Sequence, residues 1–407
     1  MVDKFAVINS VFDYGSTGSL ARQLYEYGMS IGYEGYVFYG RGKKYEDEHV
    51  IRIDSKIEVY GHKLLSLLTG LQGSYSRFAT RKMLNVMKKN GIKHVIFLNL
   101  HGYYLHEKKL FNFCRKEGIR IIYVMPDEYA GLGKCCYCDT CEKFKNLCVQ
   151  CPKVKDYPKS LFFDSSKHIF INKLNEYENQ DITFVGPRAN IDHLQGARLL
   201  EGKCVLELDW GIDLGTYHFS VNEEIYTKYG IPRDRILVLT VAKYSMTRKG
   251  VAEYFFKAAK RLENSQYHFI NVGYDGNLSI SQMPKNMTTI PYIDSQEELA
   301  QIYSICDLYV LASTSDSQPL SALIALGCET PVACFYTSGL RYISNGDDDV
   351  VRYAKAISVE SLTELIYSFG KKTETVKHKC KQYSEQRYSK DLFNKNVFEK
   401  LFVNQTR

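Results

Sequence analysis

The amino-acid sequence predicts an α/β protein built from two doubly wound, Rossmann-like domains with parallel sheets. Its 407 residues are too many for one ordinary hydrophobic core, which favours two domains. Along the whole chain, short runs of β-branched and aromatic residues alternate with segments in which apolar residues recur at helical spacing. Such continuous apolar runs are typical of strands in a parallel sheet, because helices cover both of its faces.

The first half of the chain supplies the first set of predicted strands and helices. Five strands are predicted, at residues 4–10, 36–42, 93–100, 120–126 and 182–187. Three helices are predicted between them, at residues 17–32, 75–90 and 105–117. This alternation predicts βαβ units and therefore a parallel sheet.

The second half repeats the pattern. Five more strands are predicted, at residues 235–243, 267–274, 288–293, 307–314 and 331–335. Three helices are predicted at residues 250–263, 295–305 and 319–328. In the first of these helices the apolar residues recur at helical spacing, at Val251, Tyr254, Phe255, Ala258 and Leu262.

We place the join between the domains in ELDWGIDLGTYHF, near residues 208–220. The predicted domains are residues 1–208, with a cysteine-rich loop at 134–152, and residues 209–385. Residues 386–407 follow as a tail with helical periodicity. Ligands of open α/β sheets bind beyond the carboxyl ends of the strands, so we expect the two domains to face a central cleft.

Composition and charge narrow the class of protein. An apolar fraction of 45% and a charged fraction of 24% are typical of a globular protein in water. No apolar h-region follows Met1, and no apolar run approaches the roughly 20 residues of a membrane span. We therefore expect a cytoplasmic protein that at most lies on the inner face of the plasma membrane. The net charge of +7 fits either an uneven solvated surface or attraction to an anionic phospholipid, a lipid diphosphate or a nucleic acid.

Six of the twelve cysteines lie between Cys135 and Cys151. In a chain without a signal peptide, such clustering indicates metal binding or local packing of reduced thiols. Cys138-x2-Cys141 and Cys148-x2-Cys151 have the spacing of a zinc knuckle, in which two tight turns supply four thiolates. A four-sulphur site is closed, so a metal there would be structural. Zinc binding and reduced, unmetallated packing both remain open.

The first predicted strand is followed by a segment of small residues that can approach an anion. These residues are Gly15, Ser16, Thr17 and Gly18. Glycines permit close backbone approach, and the N–H groups of a helix start favour a phosphate, although a G-x-x-G turn also occurs without a ligand. The full G-x-G-x-x-G spacing and a Walker lysine are absent, which excludes the common dinucleotide-binding and P-loop motifs.

Two lysines in the second half have a similar position. Lys243 ends a predicted strand, and Lys249 opens the helix that follows. Cations at these two points either neutralise a diphosphate together or form an ordinary solvated pair.

Several stretches taken together resemble one known family. They are INSVFDYGSTGSLARQLYEYG, EGYVFYGRG, NLHGYYLHEKKL, the cysteine block, GIDL, TRKG and the segment 316–331. Over nearly its full length, the chain resembles a retaining glycosyltransferase of family 4, closest in pattern to polysaccharide-biosynthesis enzymes of the colanic-acid type. The resemblance implies the two-domain GT-B fold. In that fold the first domain lies on the acceptor side, the second binds the nucleotide-sugar, and the C-terminal helix crosses back to the first.

The resemblance assigns donor-binding roles residue by residue. Gly15 to Gly18 match the loop that faces the donor diphosphate. Lys243 and Lys249 match catalytic cations that stabilise the departing diphosphate. Asp316 falls on the first acid of the family's E-x7-E motif. Three further residues of these segments are expected to contact the donor: Arg248, Leu320 and Ser321.

In the first domain, the predicted catalytic residues are Asp127 and His101. Related enzymes read H-D-x-W where this chain has Pro126 followed by Asp127, so their histidine is absent while the aspartate remains. His101, which follows a predicted strand, is either a cleft residue or a structural histidine. The resemblance also implies a metal-binding role for Cys135, Cys141, Cys148 and Cys151, with Cys136 and Cys138 as additional cysteines.

Two more positions depart from the family pattern. The second acid of E-x7-E should fall at 324, where its carboxylate would accept hydrogen bonds from the donor ribose, and Ile324 accepts none. Glu329 takes a place usually held by glycine in C-G-T-P. Retaining transfer of this type requires no paired carboxylates, so Ile324 predicts weaker or altered donor recognition without loss of the reaction.

The resemblance implies transfer of a sugar from a nucleotide-diphosphate donor to a surface-polysaccharide or O-antigen precursor on a lipid carrier. It implies no cofactor for catalysis, and structural zinc at most. The alternative is a non-catalytic GT-B binding or partner protein with a degenerate donor site, because three positions depart from the family. A zinc-containing nucleic-acid binder would need an uninterrupted basic stripe beside the cysteines, but Asp139 and Glu142 interrupt the lysines there. We therefore expect no nucleic-acid partner.

Overall fold

The computed structural model of the protein describes residues 2–243, 249–275, 283–344 and 346–402. The chain forms two compact units, Met1–Leu208 together with Asn394–Arg407, and Asp209–Phe393. Each unit is an α/β domain with its own parallel sheet, which confirms the predicted fold class.

The sheet of the first unit has seven parallel strands. In chain order they are β1 (Lys4–Val11), β2 (Glu34–Arg41), β3 (Val50–Arg52), β4 (His94–Phe97), β5 (Arg120–Val124), β6 (Ile182–Gly186) and β7 (Cys204–Glu207). Their order across the sheet is β3-β2-β1-β4-β5-β6-β7. The sequence predicts β1, β2, β4, β5 and β6 but not the edge strands β3 and β7, most of whose residues are only half-buried.

Helices cover this sheet. They are α1 (Gly15–Ser30), α2 (Lys56–Thr69), α3 (Arg77–Lys89), α4 (Glu107–Glu117), α5 (Ser166–Tyr177) and α6 (Arg188–His193). The sequence predicts α1, α3 and α4 but not α2, α5 or α6. Polar capping explains why α2 forms nevertheless, because the Ser55 hydroxyl accepts a hydrogen bond from the backbone N–H of Glu58 at 3.2 Å.

The second unit has a six-stranded parallel sheet. Its strands are β8 (Ile236–Val241), β9 (Tyr267–Val272), β10 (Met287–Ile290), β11 (Leu308–Leu311), β12 (Val332–Phe335) and β13 (Val351–Ala354). Their order across the sheet is β10-β9-β8-β11-β12-β13. All five strands predicted here are present, and β13 is a further edge strand.

Helices also cover the sheet of the second unit. They are α7 (Glu224–Tyr229), a π-helical turn (Val251–Phe255) that continues into α8 (Phe256–Arg261), α9 (Gln296–Ile305), α10 (Leu320–Gly327), α11 (Val359–Tyr367) and α12 (Glu374–Arg387). The last helix, α13 (Lys390–Phe402), begins in the second unit and continues into the first from Asn394. The tail predicted as one helix from residue 386 is instead broken between α12 and α13. The break arises because Ile212 donates to the Tyr388 carbonyl at 2.7 Å and accepts from the Lys390 N–H at 2.9 Å.

The two sheets share one topology, and this topology locates the candidate site. In each unit the chain starts at a central strand, moves to one edge and then returns to the other side of that strand. The direction switches between β1 and β4 in the first unit and between β8 and β11 in the second. In open α/β sheets, ligands bind beyond the carboxyl ends of the strands at such switch points.

The end of α13 packs on the first unit. Phe398 lies edge-to-face against Phe5 of β1 at 5.0 Å between ring centroids, and Phe402 stacks on Tyr33 at 3.9 Å. Gly28 of α1 lies beneath these rings. A Cβ atom at Gly28 would lie 2.3 Å from the Phe5 ring and 2.6 Å from the Phe398 ring.

We predict that Gly28→Ala destabilises the first unit by about 1–3 kcal/mol, because the added methyl overpacks the contact between α1 and α13. Gly61→Ala is the matched control, since Gly61 also lies within a helix and a Cβ there would meet nothing within 4 Å. Alanine should be neutral or stabilising at Gly61 by up to about 1 kcal/mol. Denaturant unfolding measures both changes, and equal effects of the two substitutions would contradict the packing of α13 on α1.

Candidate functional site

The switch point of the second unit brings together two segments that the sequence singles out. Lys243 lies exposed just beyond the end of β8, and Lys249 begins the segment that leads into the π-helical turn. Asp316 follows β11, the strand that pairs with β8. Arg248, predicted to contact the donor, lies outside the described residues.

Lys249 and Asp316 form an ion pair. The Lys249 ammonium lies 2.5 Å from the Asp316 carboxylate, and the two side chains are only 19% and 15% exposed. A pair this shielded from water is screened less by salt than a surface pair. The pair therefore holds a cation at the carboxyl ends of two adjacent parallel strands.

Close backbone packing fixes the position of this cation. Gly250 has a φ of +65°, and a Cβ atom there would lie 2.1 Å from the carbonyl oxygen of Ala312, at the end of β11. Only glycine fits this approach without displacing the backbone. The Lys-Gly step thus places Lys249 against the strand that leads to Asp316.

A second glycine holds the Asp316 loop from the other side. The N–H of Gly339 donates to the Asp316 carbonyl at 2.8 Å, and a Cβ at Gly339 would lie 1.6 Å from the Ser317 carbonyl. Gln318 connects the same loop to residues 209–210. Its side-chain oxygen accepts a hydrogen bond from the Trp210 N–H at 2.7 Å, and its side-chain amide donates to the Asp209 carboxylate at 2.8 Å. Sequence reasoning misses Gly339, which lies four residues after the end of β12 in a short 3-10 turn.

Helix α10 presents the remaining residues predicted for the donor. Leu320 is exposed and Ser321 half-buried in its first turn, and Ile324 follows on the same side at spacings of four and three residues. Ile324 is half-buried and packs against the apolar core of the second unit. Glu329 has a φ of +59°, in the left-handed region that favours glycine. An apolar side chain is therefore accommodated at 324, whereas Glu329 adopts a backbone conformation that few non-glycine residues take.

In the first unit, the four small residues form the first turn of α1. Gly15 and Ser16 are exposed, Thr17 is half-buried and Gly18 is buried. The side-chain amide of Asn9 donates to the carbonyls of Val11 and Thr17 at 2.8 and 2.9 Å, which ties the end of β1 to this turn. The segment therefore lies at the carboxyl end of a central strand, where an anion can reach a helix start.

The structure also brings the two predicted catalytic residues of the first unit together. His101 follows β4 and Asp127 follows β5, and His101 Nε2 lies 2.8 Å from Asp127 Oδ2. His101 Nδ1 is within hydrogen-bonding distance of the Tyr157 hydroxyl at 3.1 Å, and Asp127 Oδ1 accepts from the Tyr129 N–H at 3.0 Å. Both orientations are thus fixed by neighbours, an arrangement that can hold or transfer one proton.

Cys136 completes a compact group with this pair. One ligand atom from each of His101, Asp127 and Cys136 lies within 4.8 Å of the others. Burial, reinforced by the charge of Asp127, raises the pKa of the Cys136 thiol. These three atom types can bind zinc, yet the same geometry also forms a closed hydrogen-bonded group. Sequence reasoning treats Cys136 only as an additional cysteine.

The predicted metal ligands lie in the cysteine loop, residues 134–152. Cys135, Cys141, Cys148 and Cys151 line one small cavity of about 20 Å³, and Cys138 lines it as well. Among the described residues, no three of these five sulphurs meet the 4.8 Å spacing found at His101, Asp127 and Cys136. The cavity thus gathers every cysteine of both predicted sets, although no three of these described sulphurs lie as close together as the ligand atoms of His101, Asp127 and Cys136.

The electrostatics of this cavity favour a thiolate at Cys151, whereas burial raises the pKa of Cys148 to about 11 and the hydrogen bond with Cys151 raises the pKa of Cys135. A hydrogen bond with Cys135 lowers the pKa of Cys151 to about 6, and the Lys153 N–H and the charge of Lys134 act in the same direction. Lys134 is buried, and its ammonium donates to three loop carbonyls, of which Val154 is closest at 3.1 Å. Negative charge on sulphur is the form that binds metal.

Comparison with known proteins identifies the second unit. Residues 235–368 match the family model described as Glycosyl transferases group 1. This segment, from β8 to α11, is therefore a glycosyl transferase group 1 domain, and it contains Lys243, Lys249 and Asp316.

Two curated proteins are similar in sequence. The putative colanic acid biosynthesis glycosyl transferase WcaC of Escherichia coli (strain K12) is 19% identical over 276 residues, 66% of this chain and 64% of that protein. The N,N'-diacetylbacillosaminyl-diphospho-undecaprenol alpha-1,3-N-acetylgalactosaminyltransferase of Campylobacter jejuni is 26% identical over 184 residues, 44% of this chain and 48% of that protein. The chain thus spans less than two thirds of the length of each relative.

Solved structures share the fold. Anabaena Alr3699/HepE in complex with UDP has a TM-score of 0.62 and 12% identity, covering 98% of this chain and 99% of that one. The fold is therefore that of the GT-B glycosyltransferases. Within the described residues, no helix has both the length and the apolarity that crossing a membrane requires.

Proposed function

We propose that the protein is a retaining glycosyltransferase that moves a sugar from a nucleotide-diphosphate-sugar to a surface-polysaccharide or O-antigen precursor on a lipid carrier. The observation that carries the proposal is the Lys249–Asp316 pair at the switch point of the glycosyl transferase group 1 domain. A shielded cation at the carboxyl ends of the strands is suited to a diphosphate.

Lys249 stabilises the leaving diphosphate in this proposal. The bond between the anomeric carbon and the diphosphate oxygen breaks, and the acceptor oxygen bonds to the same face of that carbon. The acceptor proton passes to the leaving phosphate. The developing charge on the diphosphate is largest in the transition state, so a fixed cation acts mainly on the rate. Lys243 lies just beyond the end of β8 and supplies a second cation.

Asp316 and Ile324 determine how the donor is held. Asp316 orients Lys249 through the ion pair. Ile324 offers the donor ribose no hydrogen-bond acceptor, and losing such a contact costs on the order of 1–3 kcal/mol of binding. The proposal therefore includes weak or altered donor binding. Leu320 and Ser321, earlier on α10, face the same side and contact the donor.

The first unit supplies the acceptor side. His101 and Asp127 form an oriented pair that can position an acceptor hydroxyl. A relative whose name includes a diphospho-undecaprenol acceptor supports a lipid-linked acceptor. The enzyme would act in the cytoplasm, at the inner face of the plasma membrane, without a nucleic-acid partner.

We predict that Lys249→Ala lowers turnover at least about a hundredfold, because one charged contact to the leaving group is lost in the transition state. Lys257→Ala, an exposed lysine on the adjoining helix α8, is the matched control and should keep normal turnover. The assay follows release of nucleoside diphosphate from nucleotide-sugars, with a detergent-solubilised lipid extract as acceptor.

Near-normal turnover of Lys249→Ala would contradict the role of the lysine. If the wild-type protein turns over no donor while Ile324→Glu gains nucleotide affinity, the protein is instead a binding protein with a degenerate donor site.

We also propose that the cysteine loop binds one structural zinc ion through Cys135, Cys141, Cys148 and Cys151. Support comes from the shared cavity and from the lowered pKa of Cys151. Zinc would draw the sulphurs together and fix the loop, and a four-thiolate site has no open position for catalysis.

Metal analysis of the purified protein should find about one zinc per chain, lost in Cys148→Ser. Cys334→Ser is the control, because Cys334 is buried in β12 of the second unit. Wild-type protein that holds no zinc after reconstitution under reducing conditions would contradict the proposal.

A further inference from the structure

Helix α2 exposes an apolar stripe to solvent and buries polar residues. Ile57, Tyr60 and Leu64 are 85%, 69% and 57% exposed, and they lie on one face at spacings of three and four residues. The residues of α2 that are buried are His62 and Ser66, both polar. A surface helix normally turns its apolar stripe towards the core, so this stripe is left for something outside the unit.

The apolar surface continues beyond α2. The N–H of Leu161 donates to the Leu67 carbonyl at 2.8 Å, and the Ser165 hydroxyl donates to the Thr69 carbonyl at 2.7 Å. These bonds hold Phe162 and Phe163, which are 70% and 63% exposed, beside the end of α2.

Helix α3 is joined to α2 on the buried side of that helix and carries a further exposed ring. His62 of α2 lies 2.8 Å from the Ser76 hydroxyl, directly before α3, and Phe78 in its first turn is 82% exposed. We name these exposed residues the apolar patch: Ile57, Tyr60, Leu64, Phe78, Phe162 and Phe163. A group of large exposed apolar side chains on segments that are bonded to one another marks an interaction site, whereas single ones do not.

Positive charge is concentrated on the same segment. Residues 56–89, from α2 to the end of α3, hold seven lysines and arginines and one acid, Glu58, a net charge of +6. The whole chain carries only +7. Within the described residues, Lys88 is the one of these seven cations in an ion pair, with Glu117. Most of these cations are therefore available to an external anion.

We propose that the apolar patch and its cations form a membrane-docking surface for anionic phospholipids. Apolar side chains enter the interface, while the lysines and arginines contact lipid phosphates. At 14 residues α2 is too short to span a bilayer, so it lies in the plane of the interface. The proposal rests on the proposed function only in explaining why such a surface is useful, namely to reach a lipid-linked acceptor.

The charge and the apolar residues together favour an anionic bilayer over a second copy of the chain or a nucleic acid. Two copies of the chain that met through this patch would bring like charges together across a symmetric contact. A nucleic acid would engage the cations but would leave the aliphatic stripe of α2 unexplained. An anionic bilayer satisfies both features of the surface.

Flotation of the full chain with phosphatidylcholine vesicles, with and without phosphatidylglycerol, tests the proposal. We expect binding to the anionic vesicles only. Leu64→Ser combined with Phe162→Ser should weaken it at least about tenfold through lost apolar insertion. Arg81→Glu combined with Lys82→Glu should weaken it about a hundredfold at low salt. Tyr367→Ser, which removes an exposed ring of the second unit, is the matched control and should bind normally. Unchanged melting temperatures establish that the variants fold.

The proposal is overturned if the wild-type protein does not bind anionic vesicles, or if the patch variants bind these vesicles as well as the wild type does. It is also overturned if the patch variants abolish self-association in sedimentation or retention on DNA while vesicle binding is absent. Donor turnover in detergent separates this outcome from the proposed function. Normal turnover without vesicle binding defeats only the docking surface, and vesicle binding without turnover defeats only the glycosyltransferase.

Discussion

In the second unit, the Lys249 ammonium and the Asp316 carboxylate hold each other at 2.5 Å across the carboxyl ends of two neighbouring strands. Each side chain is mostly shielded from water, so leaving either without its partner would be costly. Close backbone packing of the surrounding loops permits this pairing. Gly250 lets the lysine approach β11, and Gly339 holds the backbone of the aspartate from the opposite side. The cation is thereby fixed before any ligand arrives, which is the condition for electrostatic catalysis without reorganisation.

The first unit is organised around a comparable constraint, the meeting of the ends of β4 and β5. His101 and Asp127 contact each other, while Tyr157 and the Tyr129 N–H orient them from either side. Cys136 faces this pair, whereas its neighbour Cys135 lines the cavity of the cysteine loop. Two adjacent residues thus join the loop to the pair, so a metal that fixes the loop would also fix Cys136 beside Asp127.

Much of the fold follows from sequence pattern, and the failures have physical causes. Central strands such as KFAVINS are buried on both faces, and their sequences are mostly apolar as a result. The edge strands β3, β7 and β13 are only partly buried and lack the continuous apolar run of a central strand. The break before Lys390 depends on pairing with Ile212, a contact distant in sequence. At the site, the Lys249–Asp316 pairing follows from topology, but Gly339 and Cys136 become visible only once distant backbone segments meet.

We propose that the second unit is a working donor site despite Ile324. The measurement that tests it most directly is the melting temperature of the purified protein with UDP, GDP, dTDP and CMP in turn. A functional site predicts that one nucleotide raises the melting temperature by at least about 2 °C at saturation, because ligand binding stabilises the folded state. No shift with any of the four, in a protein that unfolds cooperatively, would contradict the account.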